Sequence, residues 1–481
     1  MAKISELNYF AVGRDDTYAR KSDGYDYEST PEQIDKIVEH LLSNNVGTLN
    51  LYFHGGLVGE GVAENSINHV FGEIGKNNVP HSHNLACIWN TSLWDTLRSE
   101  WSDILGDYLT EDFLKNFTDK FLRRLGVKRL RSAGLPYNFV FGLAQSDVDA
   151  VDLSRSDIDF FWNDPFESGE AYFDLIDGAV RQSIMRLDSI GALDSEQDFV
   201  ESIGGELSDS LIAPSSIASF GSRFESGNIA WNIILRFKNN TDHGLHATII
   251  EEVLRSKAPK ALRLGIWGEM KERAERMWVE SGKIGFDLIA KLKKGFEDSG
   301  KRLNINLVGH SAGAICICHF LEFSEKNNWT QDGVLQVNKI AFWAPAARYD
   351  LFDKSIVQKP HRYKHFRMFT MKDKNEKKDE LIDVKILNYF YPSSLLYFIS
   401  GVLEAEPDSP LCGMARYHSG RKPYASEVFV RVKQFLSQPK YRVLSKTDAS
   451  AEPGLQCTAT DHGWFSRNPE TTNSLAFYLK E

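Results

Sequence analysis

The sequence predicts an α/β protein: a mostly parallel sheet with helices on both faces, interrupted by a large, partly helical, acidic insertion. Three observations carry this. Short apolar runs of strand character alternate with amphipathic helical stretches over 48–89 and again over 269–343, the pattern of βαβ units. Leu303 to Phe323, LNINLVGHSAGAICICHFLEF, reads as strand, sharp turn and buried helix. From Glu100 to about Pro259 the alternation stops and acidic residues accumulate. The expected division is therefore 1–99 and 260–481 as two parts of one core, with 100–259 as the insertion.

Leu7 to Val12 is a short strand candidate. Thr30-Pro31-Glu32-Gln33 then opens a helix, with a capping hydroxyl, proline at the first helical position and glutamine three residues after the cap. Ile34, Ile37, Val38, Leu41 and Leu42 form its apolar stripe, which ends in the turn Ser43 to Gly47. Thr48 to Phe53 alternates as a strand and runs into His54-Gly55-Gly56-Leu57. A helix near Val62 to Gly75 and a strand from Asn84 to Trp89 follow. The insertion holds an amphipathic helix around Glu111 to Leu125, a basic patch at Lys128, Arg129 and Arg131, and then the acidic tract.

Order returns with Met270, Ala274, Met277, Ile284, Leu288, Ile289, Leu292 and Phe296 at helical spacing. These predict one helix, Glu269 to Phe296, crossing over into the Leu303 strand. Strands are expected at Val337 to Trp343, Tyr363 to Met371 and Cys457 to Thr460, and a last helix from Pro469 to Leu479. Tyr391 to Glu404 is markedly apolar but too short to span a bilayer. It reads as a core helix or as a wall lining an acyl group.

Composition excludes several classes. The net charge of −10 disfavours nucleic acid and anionic membranes as partners. Phe141 to Ala230 alone carries 18 Asp or Glu against 4 Arg and no Lys, a solvated surface suited to a protein partner. Asp147, Asp149, Asp152, Asp157 and Asp159 miss the calcium-loop pattern. Val151 stands at the fifth ligand position, and Asp152 where the turn glycine belongs. Five cysteines show no metal-type spacing, so no metal or cofactor is expected. With no signal pattern at the start and no transmembrane segment, the expected location is cytoplasmic.

The chemistry centres on Gly309-His310-Ser311-Ala312-Gly313. G-x-S-x-G alone arises by chance in roughly one chain in six of this length, given Gly and Ser near 7% each. A strand directly before it, a helix directly after it and a glycine pair ending an earlier strand raise it above chance. Such a turn holds the Ser311 hydroxyl out of the sheet, and Gly309 and Gly313 let strand and helix pass closely. The Gly55-Gly56 pair leaves backbone N–H groups uncovered, able to converge on an oxygen. A serine nucleophile needs a histidine base, which in turn needs a carboxylate. Candidates follow in that chain order: Asp373 just past the Tyr363 to Met371 strand, and His462 near the C-terminal helix. Asp379 and Asp350 are alternatives for the acid, and His418 for the base.

In these motifs the chain resembles the α/β-hydrolase superfamily, most closely its esterase and lipase branch. The resemblance covers about 46–95 and 260–481. It implies Ser311 as nucleophile, Asp373 as acid and His462 as base. The oxyanion hole would use the Ala312 amide and that of Gly56 or Leu57, since no third glycine follows Gly56. The insertion would act as a cap. The implied reaction is hydrolysis of a small-molecule or lipid ester through an acyl-serine. An amidase, thioesterase or phospholipase would share the same residues, and a non-catalytic scaffold on the same fold is the other reading.

Overall fold

Seven strands, all parallel, form one sheet in the computed structural model of the chain. They are β1 (Tyr9–Val12), β2 (Thr48–Phe53), β3 (Ser82–Trp89), β4 (Leu303–His310), β5 (Leu335–Trp343), β6 (His365–Thr370) and β7 (Arg442–Leu444). Their spatial order is β1-β3-β2-β4-β5-β6-β7. The structure describes residues 3–56, 60–76, 81–89, 111–126, 129–130, 138–139, 170–208, 219–257, 260–379, 391, 393–445 and 451–481. Leu57, Lys128, Arg131 and the Asp147 to Asp159 spacing lie outside them.

The principal helices, in chain order, are α1 (Pro31–Ser43), α2 (Glu60–Lys76), α3 (Glu111–Leu125), α4 (Glu170–Ser189), α5 (Glu196–Ser208) and α6 (Ser219–Lys238). They continue with α7 (Leu245–Lys257), α8 (Lys260–Arg276), α9 (Ile284–Asp298), α10 (Gly313–Lys326), α11 (Glu427–Leu436) and α12 (Pro469–Lys480). The chain divides into two units. Met1–Thr96, Gly265–Asp379 and Pro410–Glu481 hold the sheet, and Leu97–Leu264 with Glu380–Ser409 form the second unit.

The winding of the sheet places the site. After β2 the chain adds β3 on one side, and after β4 it adds β5 on the other. The carboxyl ends of β2 and β4 are neighbours at this reversal, where open α/β sheets form their ligand crevice. The central strands are sealed on both faces, as parallel strands covered by helices must be. A chain of asparagines pins their register. Asn50 Nδ2 donates to Asn84 Oδ1 at 2.8 Å, Asn306 Nδ2 to Asn50 Oδ1 at 2.8 Å, and Asn338 Nδ2 to Asn306 Oδ1 at 3.4 Å. A one-residue slip of any of these strands would strand buried amides without partners.

The α1 start is as expected, with Thr30 Oγ1 accepting the Gln33 N–H at 3.1 Å. The Gln33 side chain donates to Glu6 and Tyr9 carbonyls, tying the helix to β1. Two expectations fail. The single helix over Glu269 to Phe296 is instead α8 and α9, separated by a turn in which Gly282 takes φ +91°. Asp287 accepts the Gly282 N–H at 3.0 Å, and Arg273 and Arg276 at the end of α8 reach Asp16 at 3.3 and 2.7 Å. These contacts favour a stop over a straight continuation. Cys457 to Thr460 is not a strand either. Side chains hold this segment, with the Gln456 N–H on Ser474 Oγ at 2.9 Å and Ser445 Oγ on the Ala459 carbonyl. The last strand is the three-residue β7, too short to show a period.

In the second unit, the segment Ser393 to Glu404 is core, as is Tyr391. Leu396, Tyr397, Phe398, Ile399, Val402 and Leu403 are all 1% exposed or less. Tyr391 also donates its hydroxyl to Glu251 Oε1 at 2.6 Å, joining a buried ionic cluster. There His243 meets Glu251 at 2.8 Å and Asp408 at 3.0 Å, and Arg236 lies 2.6 Å from Glu251 and 3.2 Å from Glu252. Burial alone would raise the Glu251 carboxyl. The His243 and Arg236 charges outweigh burial and bring it down to about 2.

Candidate active site

β4 is buried from Ile305 to its end at His310, and Asn306 is its one polar residue between Ile305 and Val308. Ser311 then takes φ +52°, a left-handed backbone that costs a residue with a side chain roughly 1–3 kcal/mol. The neighbouring strand's end over-determines it. The Ser311 N–H donates to the Trp343 carbonyl at 2.9 Å, and the Ser311 carbonyl accepts from Ala346 at 3.0 Å and Ala314 at 3.1 Å. The close crossing requires both glycines. A Cβ on Gly309 would lie 2.8 Å from Ile317 Cδ1, and one on Gly313 would run into the Phe53 carbonyl. Gly309, Ser311 and Gly313 therefore form a strained strand–turn–helix elbow leading into α10.

The glycine loop sits against it. His54, 2% exposed, donates Nδ1–H to the Gly55 carbonyl at 2.7 Å and accepts the Trp89 N–H on Nε2 at 3.3 Å. Trp89 Nε1–H returns to the His54 carbonyl at 3.2 Å. Burial pushes His54 down to about 4, so it works as a neutral lock on the loop. A Cβ on Gly55 would lie 3.4 Å from Ser311 Cβ. One on Gly56 would lie 3.0 Å from Ala312 Cβ and would overlap Met270 Sδ. Among the described residues, the Gly56 and Ala312 amides donate to no acceptor.

His462 opens a short 3₁₀ turn, His462–Trp464, and is 6% exposed. Its N–H donates to Asp379 Oδ2 at 2.7 Å, and its carbonyl accepts His310 Nε2–H at 3.0 Å. The His310 and His462 rings stand 5.3 Å apart. Burial, and then the neighbouring His310, hold His462 well below the ordinary imidazole range. Burial brings His310 to about 4. Both rings are neutral at physiological pH. Among the described residues neither ring nitrogen of His462 has a hydrogen-bond partner, and Ser311 Oγ makes no hydrogen bond.

The other residues singled out from the sequence stand elsewhere. Asp373 is half-buried and opens a one-turn helix, Asp373–Glu376, with its carboxylate 3.7 Å from Lys377 Nζ, while Asp379 is 3% exposed and bonded to His462. Asp350 pairs with Arg348 at 3.1 Å. His418 is buried against Tyr349 with Arg442 on its Nδ1, and burial followed by the Arg442 charge brings it to about 3. Of the two fallback acids, Asp379 is the one that meets His462. The helical spacing puts Met270 on an apolar face without showing that it packs on Gly56, and the sequence does not foretell the His310 bond. Both are contacts between segments far apart in the chain, and no local pattern marks them.

Among the described residues no group of three or more His, Cys, Asp or Glu side chains is placed to hold a metal, and the five cysteines are free and buried. No described helix is long and apolar enough to cross a membrane. No protein-family model, curated protein or solved structure matches the chain.

Proposed function

We propose that this protein is a serine hydrolase of α/β-hydrolase type that cleaves a carboxylic ester through an acyl-Ser311 intermediate. The observation that carries the reading is the Ser311 elbow. A serine held at φ +52° by bonds at both its N–H and its carbonyl stands where the winding reverses, against a glycine loop. Positive φ alone does not single Ser311 out, since Ala344, Lys440 and other non-glycine residues share it; what does is the serine's place at the winding reversal, beside the uncovered Gly56 and Ala312 amides.

In this reading Ser311 Oγ attacks the acyl carbon and His462 takes its proton. The Ala312 amide, with that of Gly56 or Leu57, receives the oxyanion. His462 then protonates the leaving alkoxide, and water, activated by the same imidazole, releases the acid. Asp379 replaces Asp373 as the acid, because it is buried and already bonded to the His462 main chain. An imidazole held far below its usual range is a weak base. A carboxylate moving onto Nδ1 would raise it, and hydrogen bonds absent from an unliganded site often close only around substrate. Acyl transfer of this kind needs no cofactor.

The test is labelling with a fluorophosphonate probe and mapping of the adduct by mass spectrometry. The expected adduct is on Ser311, is absent in Ser311→Ala and is slowed by His462→Ala. Asp379→Asn should slow labelling about 10²- to 10⁴-fold while Asp373→Asn leaves it unchanged. The reverse ranking would restore Asp373 as the acid. A folded protein with no adduct on Ser311 would instead support the non-catalytic scaffold. A panel of short and long acyl esters, amides and thioesters then assigns the leaving group.

A further inference from the structure

His310, the residue before the nucleophile, donates Nε2–H to the carbonyl of His462 at 3.0 Å, and Asp379 accepts the N–H of that same residue at 2.7 Å. Both main-chain polar groups of His462 are thus held, one from the end of β4 and the other from the segment after β6. We propose that His310 is a positioning residue for His462, fixing the base relative to the nucleophile; this rests on the serine hydrolase reading above.

The reasoning is geometric. His462 lies well beyond the end of β7 at Leu444, on a turn that no strand carries. An ångström of shift in such a segment is enough to spoil proton transfer. The His310 bond, with that of Asp379, resists the shift at His462 itself. It links the base's backbone to the strand residue covalently joined to Ser311, so one rigid element sets the distance between them. With the backbone held on both sides, the freedom left to His462 is rotation of its side chain. Its ring nitrogens, unbonded among the described residues, are left to engage Ser311 Oγ in the reaction.

The side chain type fits the task. The acceptor is a carbonyl, so His310 must supply a donor, and it stands 5.3 Å from a ring that becomes cationic during the reaction. A lysine or arginine would oppose that charge. A neutral imidazole donates without opposing it. His310 also stands beside the glycine loop: a Cβ added at Gly55 would come within 3.4 Å of both His310 Nδ1 and Ser311 Cβ. The same ring therefore abuts the glycine loop, the elbow and the base.

The experiment compares full-length wild type with His310→Leu, His310→Gln and His310→Asn. Glutamine places an N–H where Nε2 stands, whereas asparagine is too short to reach. Three readouts are taken: the fluorophosphonate labelling rate at Ser311, kcat and KM on any ester the wild type cleaves, and hydrogen exchange of the peptide containing His462. The Leu and Asn variants are expected to label about 10- to 100-fold more slowly, with lower kcat, little change in KM and faster exchange at His462. Gln should restore most of the rate and the protection. If Leu does not fold, the Gln and Asn pair carries the comparison. Equal labelling rates for wild type, Asn and Gln overturn the proposal, as does a Gln variant as slow as Asn at equal thermal stability. A change in KM alone overturns it too. A folded wild type that never labels at Ser311 removes the hydrolase reading and this proposal with it. A labelled wild type with an indifferent His310 removes this proposal alone.

Discussion

Ser311 is the residue at which stability and chemistry pull apart. Its left-handed backbone is a conformation that glycine adopts freely and serine does not. Ser311→Gly should therefore hold or raise stability, by up to about 1 kcal/mol, while abolishing labelling. Thermal unfolding beside probe labelling reads both. A clear loss of stability would show that the hydroxyl itself contributes to folding and would weaken the case for a strained nucleophile. His54 illustrates the opposite case. In the sequence it belongs to a motif suggestive of catalysis, yet in the structure it locks Gly55 to Trp89 through three hydrogen bonds and supplies shape rather than chemistry.

At the scale of elements, the central sheet is unusual in carrying asparagines across four neighbouring strands at one level. Asn306 is fully buried and sits between Asn50 and Asn338. Replacing it with leucine leaves Asn50 Oδ1 without its donor, inside a sheet that water does not reach. The expected loss is about 1–3 kcal/mol, measured as a lower denaturant midpoint at unchanged m-value. A neutral or stabilising result would mean that the asparagines pin register without adding stability. The break between α8 and α9 follows similar logic. The apolar spacing continues across it, but Gly282 and the Asp16–Arg273–Arg276 pairs favour a turn. Periodicity reports which face is buried and does not report whether the helix carrying it is continuous.

Across the whole molecule, buried titratable groups dominate the response to acid. In the sheet-bearing unit, His54 and His310 are held near 4, His418 near 3 and His462 well below its usual value, burial being the largest cause in each. In the unfolded chain these histidines titrate near 6.5. Between roughly pH 6.5 and 4 the unfolded state binds protons that the folded state refuses, so stability is full above that window and falls as pH drops through it. Denaturant midpoints should be level from pH 8 to 7 and decline by pH 5. A flat profile down to pH 4.5 would show that water reaches these rings. The second unit depends on its ionic cluster. Glu251→Leu leaves Arg236 and His243 buried without their shared carboxylate and should cost about 3–5 kcal/mol. Unfolding of that variant by denaturant checks this, and a loss under 1 kcal/mol would mean the cluster relaxes or hydrates.

The chain's own text determined the parallel sheet, the α1 cap at Thr30, the elbow at Gly309 to Gly313 and the glycine loop at Gly55 and Gly56. Each is local: a period, a capping hydroxyl, or a run of small residues imposed by close backbone approach. The tertiary structure alone decided that Asp379 rather than Asp373 meets His462, that His418 packs away against Arg442 and Tyr349, and that Met270 packs on the glycine loop. It also decided that β7, not Cys457 to Thr460, is the last strand. The physical reason is the same in each case. Two aspartates six residues apart are equal in propensity and charge. They are distinguished by which of them is buried beside a loop some eighty residues further along, and that information exists only once the chain has closed on itself.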